Sequence, residues 1–395
     1  MTRALRTGYT TGACAAAAAK GAALMLAHQA VVSEVSIVLP TGDSAHFILH
    51  GQSFSADEAS CFVVKDAGDD PDVTNGVEVW ARITANPPRP FRPDVGVPFI
   101  EGGSFVIIEG GIGIGKVTKP GLAVPPGEWA INPVPRRMIE QSVGDVLSEF
   151  NIQHATFNIV ISIPDGEERA KKTLNARLGI IGGLSILGTT GIVCPISAKA
   201  WTDTIDAALD VAKACGCKTV VLSTGRSSEM AAQFFLRTNP PQSPLVRGEV
   251  KAPPLTRGGG GGVGVPLPEE AYIMMGDHVA YTLQACQKHG FSQPVIACQF
   301  AKLLKIACGH ANTHAAASEL DLAVLLGWAE AAQVSPEFLA IISHANTARE
   351  IAVATGFDCA LMELVSDRAK KSAAVHAPGI QAETLLCGYD GTVVP

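Results

Sequence analysis

The sequence predicts a mixed fold. A mostly-β N-terminal domain of the α+β kind, with few helices, precedes a parallel-sheet α/β domain. Three observations carry this. Up to about residue 190, runs rich in Val, Ile, Phe and Thr alternate with Gly/Pro turns. From Pro195 onward, continuous apolar runs alternate with helical patterns of about ten to fifteen residues, the rhythm of a sheet with helices on its faces. At 239–268 the stretch "NPPQSPLVRGEVKAPPLTRGGGGGVGVPLP" is dominated by Pro and Gly and loses apolar periodicity, so it cannot bury a core. These set the expected domains at 1–194 and 195–395, with 239–268 a low-complexity insertion in a strand–helix connection.

In the first half, "VSEVSIVLP", "CFVVK", "VEVWARITA", "SFVIIEG" and "ATFNIVISIP" read as strands. Helical patterns cover 13–29, 135–150 and 167–177. In the second half, "TDTIDAALDVAKACG" reads as a helix and "KTVVLST" as a strand, followed by the helix "SSEMAAQFFLRT". Beyond the insertion, "AYIMMG" is a strand or a helix start, "DHVAYTLQACQKHG" a helix and "QPVIACQ" a strand. Helices then run to about Ala374.

A chain of 395 residues, 47% hydrophobic and 17% charged, is globular rather than disordered. A net charge of -7 gives no general attraction to nucleic acid or to an anionic membrane. An anionic ligand therefore needs local cations or helix ends. The alanine-rich run from Ala13 to Ala27 contains Lys20 and reads as a buried helix rather than a secretory core. No uninterrupted apolar run reaches eighteen residues, so no membrane span is expected. The ten cysteines are scattered, which fits reduced core residues in a cytoplasmic protein. Cys215-Gly216-Cys217 lacks the spacing and the second pair of a zinc site, and no metal site is expected.

Several motifs combine turn chemistry with charge. "VKDAGDDPDVTNG" places Asp66, Asp69, Asp70 and Asp72 among turn formers. A calcium loop counted from Asp70 needs Gly and Glu where Asn75 and Ala81 stand. "GYTTGACAAAAAK" puts Thr10 and Thr11 at a helix start, which is either a cap or an anion site. Thr-Thr-Gly recurs at Thr189-Thr190-Gly191. "EGGIGIGKVTKPG" resembles a phosphate loop until Val117, and no helix can follow it. It remains a glycine loop carrying Lys116 and Lys119, or a hairpin with solvated lysines. "INPVPRRMIE" sets Arg136 and Arg137 in the first turn of a helix, where each opposes the helix dipole by ~0.3–1 kcal/mol. That conflict points to an anionic ligand or to a salt bridge with one of the aspartates. In the second half, Thr224-Gly225 and Gly276-Asp277 follow strand-like runs, where open parallel sheets bind ligands. Asp277 suits a ribose hydroxyl or a plain N-cap. His310 and His314 stand at i, i+4, but Ala311 replaces the Glu of a zinc-protease helix.

Together, "GYTTGACAAAAAK", "VVKDAGDDPDVTNG", "GIGKVTKPGLAVPPGEWAINPVPRRMI", "ARLGIIGGLSILGTTGIVCPIS" and "AKLLKIACGHANTH" resemble, in order and over nearly the whole chain, the cobalt-precorrin-5B C-1 methyltransferases of oxygen-independent cobalamin synthesis. Two departures are the 239–268 insertion and Ala301, where the resemblance leads one to expect Gly before Lys302. The resemblance implies methyl transfer from S-adenosylmethionine, as cosubstrate, to ring carbon 1 of a cobalt-containing tetrapyrrole. On this reading Thr10, Thr11, Lys116, Lys119, Arg136, Arg137, Thr189 and Thr190 bind the polyacidic ring. Thr224, Gly225, Gly276 and Asp277 bind the donor. Asp66 or Asp69 acts as a base or orients a basic partner. The expected partners are the cobalt-precorrin and, for a homo-oligomer, a second copy of the chain. The rival reading is a tetrapyrrole-binding or handover protein without methyl transfer.

Overall fold

The computed structural model describes residues 5–86, 99–100, 104–152, 155–238 and 266–394. Of the 239–268 insertion, 239–265 lie outside the described residues. The chain divides into two compact units, Met1–Ala198 and Lys199–Pro395.

The first unit is a sheet with helices on one face. The strand order is His50–Phe54, Glu58–Val64, Glu78–Asn86, Thr156–Ser162, Ser104–Gly110, Phe99–Ile100. Neighbours are antiparallel except Thr156–Ser162 with Ser104–Gly110, which run parallel. Alternating residues point to the core, as a half-buried sheet requires. Registered pairs carry one buried row, Ala59, Ile83, Ile159 and Ile108, across four strands.

Against this face lie the helices Thr11–His28 and Pro133–Glu149. The first is apolar almost all round and is buried along most of its length, from Thr11 to Met25. Its alanines permit close approach. Cys61 Sγ reaches Ala18 O at 3.2 Å from the sheet below. The neighbouring row Cys61, Ala81, Ile161 and Gly110 is small at three of its four positions, which makes room for that approach.

The glycine loop packs on protein. The strand Lys116–Val117 pairs antiparallel with Ile180–Ile181, and Leu184 N–H donates to Gly113 O at 2.8 Å. A Cβ on Gly183 would come within 2.2 Å of Gly113 O, so two backbones meet where no side chain fits.

In the second unit four parallel strands take the order Tyr272–Met274, Val221–Ser223, Val295–Cys298, Glu383–Leu386. Helix Arg226–Thr238 covers one face through Ala231, Ala232 and Leu236. Helices Ala198–Ala214, Val279–His289, Phe300–Ala307 and Cys359–His376 cover the other. Alternate residues serve the two faces: Val220 and Leu222 one, Val221 the other.

Among the described elements of four or more residues, four differ from the sequence pattern. The expected 167–177 helix spans only Gly166–Ala170, because its carbonyls are taken up by turns. The strands Ser44–Ile48 and His50–Phe54 were not evident in a polar stretch with His and Gln. The strand Glu383–Leu386 also went unseen, being too short for periodicity and defined by its pairing. Among the described residues no helix is long and apolar enough to cross a membrane. None of the ten cysteines forms a disulfide.

Gly183→Ala is expected to destabilise the first unit by about 1–3 kcal/mol through overpacking, read as a lower denaturant midpoint in that unit's transition.

Candidate functional site

The start of the buried helix gathers much of the first unit's predicted site. Thr10 is its cap, its Oγ1 accepting from Ala13 N–H at 3.2 Å. The Thr10 N–H donates to Gly191 O at 3.0 Å. The Thr11 hydroxyl accepts from Leu187 N–H at 3.0 Å and donates to Leu187 O at 3.3 Å. Gly12 N–H reaches the same carbonyl at 3.1 Å. The Thr11 hydroxyl and the N–H groups of Thr10 and Gly12 thus hold the 187–191 segment. Within it, Thr190 forms a local turn with Ile192 through its hydroxyl, and Thr189 is exposed.

The acidic loop docks on the same helix start, Tyr9 N–H donating to Asp66 O at 2.7 Å. Each of its four carboxylates has a defined partner. Asp66 forms a two-pronged ion pair with Arg6 and accepts from Gly68 N–H at 2.9 Å. The Arg6 hydrogen bond, with that N–H, holds its carboxyl below the usual range. Asp69 accepts from Arg6 N–H at 2.7 Å, and Asp70 from Ile196 N–H at 3.0 Å. Asp72 accepts from Lys65 Nζ at 2.5 Å and from both the N–H and hydroxyl of Thr74 at 2.7 Å. Burial pushes Asp72 up, but the Lys65 and Thr74 bonds outweigh it and hold the carboxyl low.

Lys65 is only 1% exposed and was not singled out in the sequence. Its signal is a lysine closing an apolar strand run directly before the aspartates. Burial also pushes the nearby Cys14 thiol up to about 12, so it is not a nucleophile at neutral pH.

The basic residues fall into two places. Pro135 packs on Gly12, where a Cβ would come within 2.8 Å of its ring. Next to it, Arg136 donates from Nε to Ile131 O at 3.1 Å and from Nη1 to Ile108 O at 3.3 Å. Arg137 is exposed. Burial raises the Glu140 carboxyl, and these two arginines pull it back partway. Lys116 and Lys119 sit instead on the glycine layer. Lys116 Nζ lies 4.4 Å from the centroid of the Trp129 ring, and Lys119 donates to Arg177 O at 3.1 Å.

In the second unit the connections after Val221–Ser223 and Val295–Cys298 leave toward opposite edges of the sheet. The carboxyl ends of those strands therefore form the switch point where such sheets bind ligands. Thr224 and Gly225 stand there, Thr224 N–H donating to Ala297 O at 3.3 Å. Gly276 and Asp277 follow the neighbouring strand. Asp277 is not an N-cap: His278 takes that position. Its Oδ1 instead accepts from Lys302 Nζ and from the Thr313 hydroxyl, the latter at 2.6 Å. Burial raises this carboxyl, and the Lys302 and Thr313 bonds lower it further than burial lifts it. Lys302 also donates to Thr313 O at 3.0 Å. These partners lie 25 and 36 positions from Asp277, too far for any local sequence signal. Among the described residues no group of three His, Cys, Asp or Glu is arranged to hold a metal ion.

The CbiD family model matches residues 1–195, and that of CbiD, C-terminal domain, matches 312–395. The chain is 58% identical, over 99% of its length and 95% of the relative's, to a protein of Pelobacter propionicus named cobalt-precorrin-5B C(1)-methyltransferase. The chain belongs to the CbiD family. A relative from Geobacter sulfurreducens with the same name is 52% identical over 99% of this chain and 98% of its own. One from Priestia megaterium, again so named, is 40% identical over 88% and 83%. A crystal structure of a cobalamin biosynthesis protein (cbiD) from Archaeoglobus fulgidus is 27% identical and covers 76% of this chain and 78% of its own, with a TM-score of 0.36. The two CbiD matches enclose the Thr10–Thr11 cluster, the acidic loop and Thr313. Thr224, Gly225, Gly276 and Asp277 lie between them and rest on sheet geometry.

For this CbiD chain, Lys65→Met removes a buried charge and leaves Asp72 without its cation. A loss of about 3 kcal/mol is expected in urea denaturation. Since the folded Asp72 carboxyl is held low, its contribution is complete above the unfolded value of ~3.9 and disappears as pH falls through the folded value. Asp72→Asn should accordingly flatten stability against pH below about 4.

Proposed function

We propose that this CbiD-family chain transfers a methyl group from S-adenosylmethionine to ring carbon 1 of cobalt-precorrin-5B in anaerobic cobalamin biosynthesis. The observation that carries this is 58% identity, across nearly the full length of both chains, to a relative named for that reaction. The handover reading without chemistry has no observation in its favour. The enzyme works in the cytoplasm, with cobalt arriving as part of the substrate.

The ring carries many carboxylates on a broad apolar surface, so its site needs fixed cations in a net-acidic protein. Exposed Arg137 and half-buried Arg136, next to the helix start, fill that role, and Lys116 on Trp129 offers a second cation beside an apolar face. Thr189 supplies an exposed hydroxyl beside the same cluster. Thr10, Thr11 and Thr190 serve by fixing the 187–191 segment, and Lys119 by fixing the glycine layer. Asp66 orients the Arg6 guanidinium and Asp69 holds the Arg6 backbone N–H; the Asp66 carboxylate, held low by its ion pair, is a poor base.

The donor residues stand at strand ends of the second unit. There Thr224 and Gly225 offer a tight strand-to-helix turn and Gly276–Asp277 a fixed carboxylate, a set that fits an adenosyl donor. When bound, the donor supplies an electrophilic methyl on a sulfonium, and the ring carbon's electron pair forms the new bond as the C–S pair returns to sulfur. The protein's part is alignment and exclusion of water, worth effective molarities of about 10⁵ M or more at best. No nucleophilic side chain is needed.

Incubation with cobalt-precorrin-5B and methyl-labelled donor should add one labelled methyl to the tetrapyrrole by mass spectrometry; an unchanged mass rejects the reading. Arg137→Glu should raise the KM for the tetrapyrrole by roughly tenfold, the worth of a charged hydrogen bond, with kcat within about twofold. An exposed site predicts almost no change in thermal stability.

A further inference from the structure

We propose that Trp201, together with Asp277, forms the seat for the adenosine half of the methyl donor. This rests on the donor reading above and extends it to a residue outside every motif considered so far.

Trp201 belongs to the helix Ala198–Ala214, yet its indole lies over the turn that ends the strand Tyr272–Met274. Its Nε1–H donates to Met275 O at 3.2 Å. Gly276 has φ +58, and a Cβ there would come within 3.0 Å of the indole ring. The glycine therefore does two things: it adopts a left-handed turn and leaves bare backbone for a flat ring to lie against. His278 presents a second ring at 6.5 Å between centroids and 29° between planes. Despite these contacts Trp201 remains 44% exposed. A large aromatic pinned by hydrogen bond and packing, but not covered, is a preformed flat apolar surface rather than a core residue.

Beside it stands Asp277. Lys302 and Thr313 both address Oδ1. Among the described residues Oδ2 accepts no hydrogen bond, and the side chain is one-quarter exposed. One oxygen is fixed from behind and the other is open. A flat apolar face next to one open carboxylate oxygen, at the carboxyl ends of parallel strands, selects a planar heteroaromatic joined to a hydroxyl-bearing sugar. Stacking on Trp201 and a hydroxyl donating to Asp277 Oδ2 would engage both halves of an adenosine. Lys302 and Thr313 are positioning residues, acting through Asp277.

The test is isothermal titration of the full-length protein with S-adenosylhomocysteine and with methylthioadenosine, which keeps the adenosine but lacks the amino-acid end. Both should bind the wild type. Trp201→Ala should weaken both by about tenfold or more, the usual effect of removing an aromatic stacking surface. Trp201→Phe keeps a flat face and should stay within about threefold. It also serves if the alanine variant folds poorly: adenosine binding should quench tryptophan fluorescence in the wild type, and that quench should vanish in Trp201→Phe while binding persists. Asp277→Asn should weaken methylthioadenosine as much as S-adenosylhomocysteine. Unchanged affinity in Trp201→Ala, or a quench that survives Trp201→Phe, overturns the assignment. Failure of the wild type to bind S-adenosylhomocysteine overturns the donor reading itself.

Discussion

The hydroxyl of Thr11 against the backbone of Leu187 is the contact on which the first unit's candidate site depends. It joins segments 176 positions apart, and Gly12 adds a further bond to the same carbonyl. Thr11 is buried at the edge of a tightly packed core, so opening the contact would leave its hydroxyl without a partner where water has little access. The same few residues of the helix start hold the acidic loop through Tyr9 and Asp66 and meet the arginine helix through Gly12 and Pro135. Loops that would otherwise move independently are thereby registered against one rigid element. Exposed groups such as Arg137 and Thr189 are displayed on a fixed base.

The charge pattern follows from that registration. Four aspartates in a short loop give the sequence a strongly negative spot. In the folded unit Arg6, Lys65, Thr74 and backbone N–H groups of Arg6, Gly68 and Ile196 answer those carboxylates. Among the described residues no carboxylate pairs with Lys116, and Glu140 is the acid whose titration feels Arg136 and Arg137. The loop carboxylates are thereby answered locally rather than by Lys116, Arg136 or Arg137. The Lys65–Asp72 pair makes the arrangement costly to undo, because the buried Lys65 ammonium left without its half-buried carboxylate is heavily penalised.

The second unit applies the same logic to a single carboxylate. Asp277 is held from behind by a lysine and a threonine contributed from beyond the next strand, with one oxygen left open. Asp277 follows the edge strand Tyr272–Met274, next to the strand ends where the order switches, and its two partners supply the rigidity. Ala301, the residue before Lys302 that departs from the family resemblance, starts this arrangement from a helix turn whose Phe300 and Leu303 are buried.

Much of this was legible in the sequence wherever the information is local. Alternation in "SFVIIEG" and "ATFNIVISIP" marked two central strands, and the unbroken alanines after Thr-Thr-Gly marked the buried helix. The turn residues of the acidic loop and the strand–helix junctions at Thr224 and Asp277 were visible in the same way, because steric and hydrogen-bonding preferences act over a few residues. Partnership was decided only by the tertiary structure. It paired Lys65 with Asp72, gave Asp277 to Lys302 rather than to a helix cap, made a strand of Glu383–Leu386 and laid Trp201 on Gly276. Each depends on which distant surfaces the packed core brings within a few ångströms, and no local pattern of side chains encodes that distance.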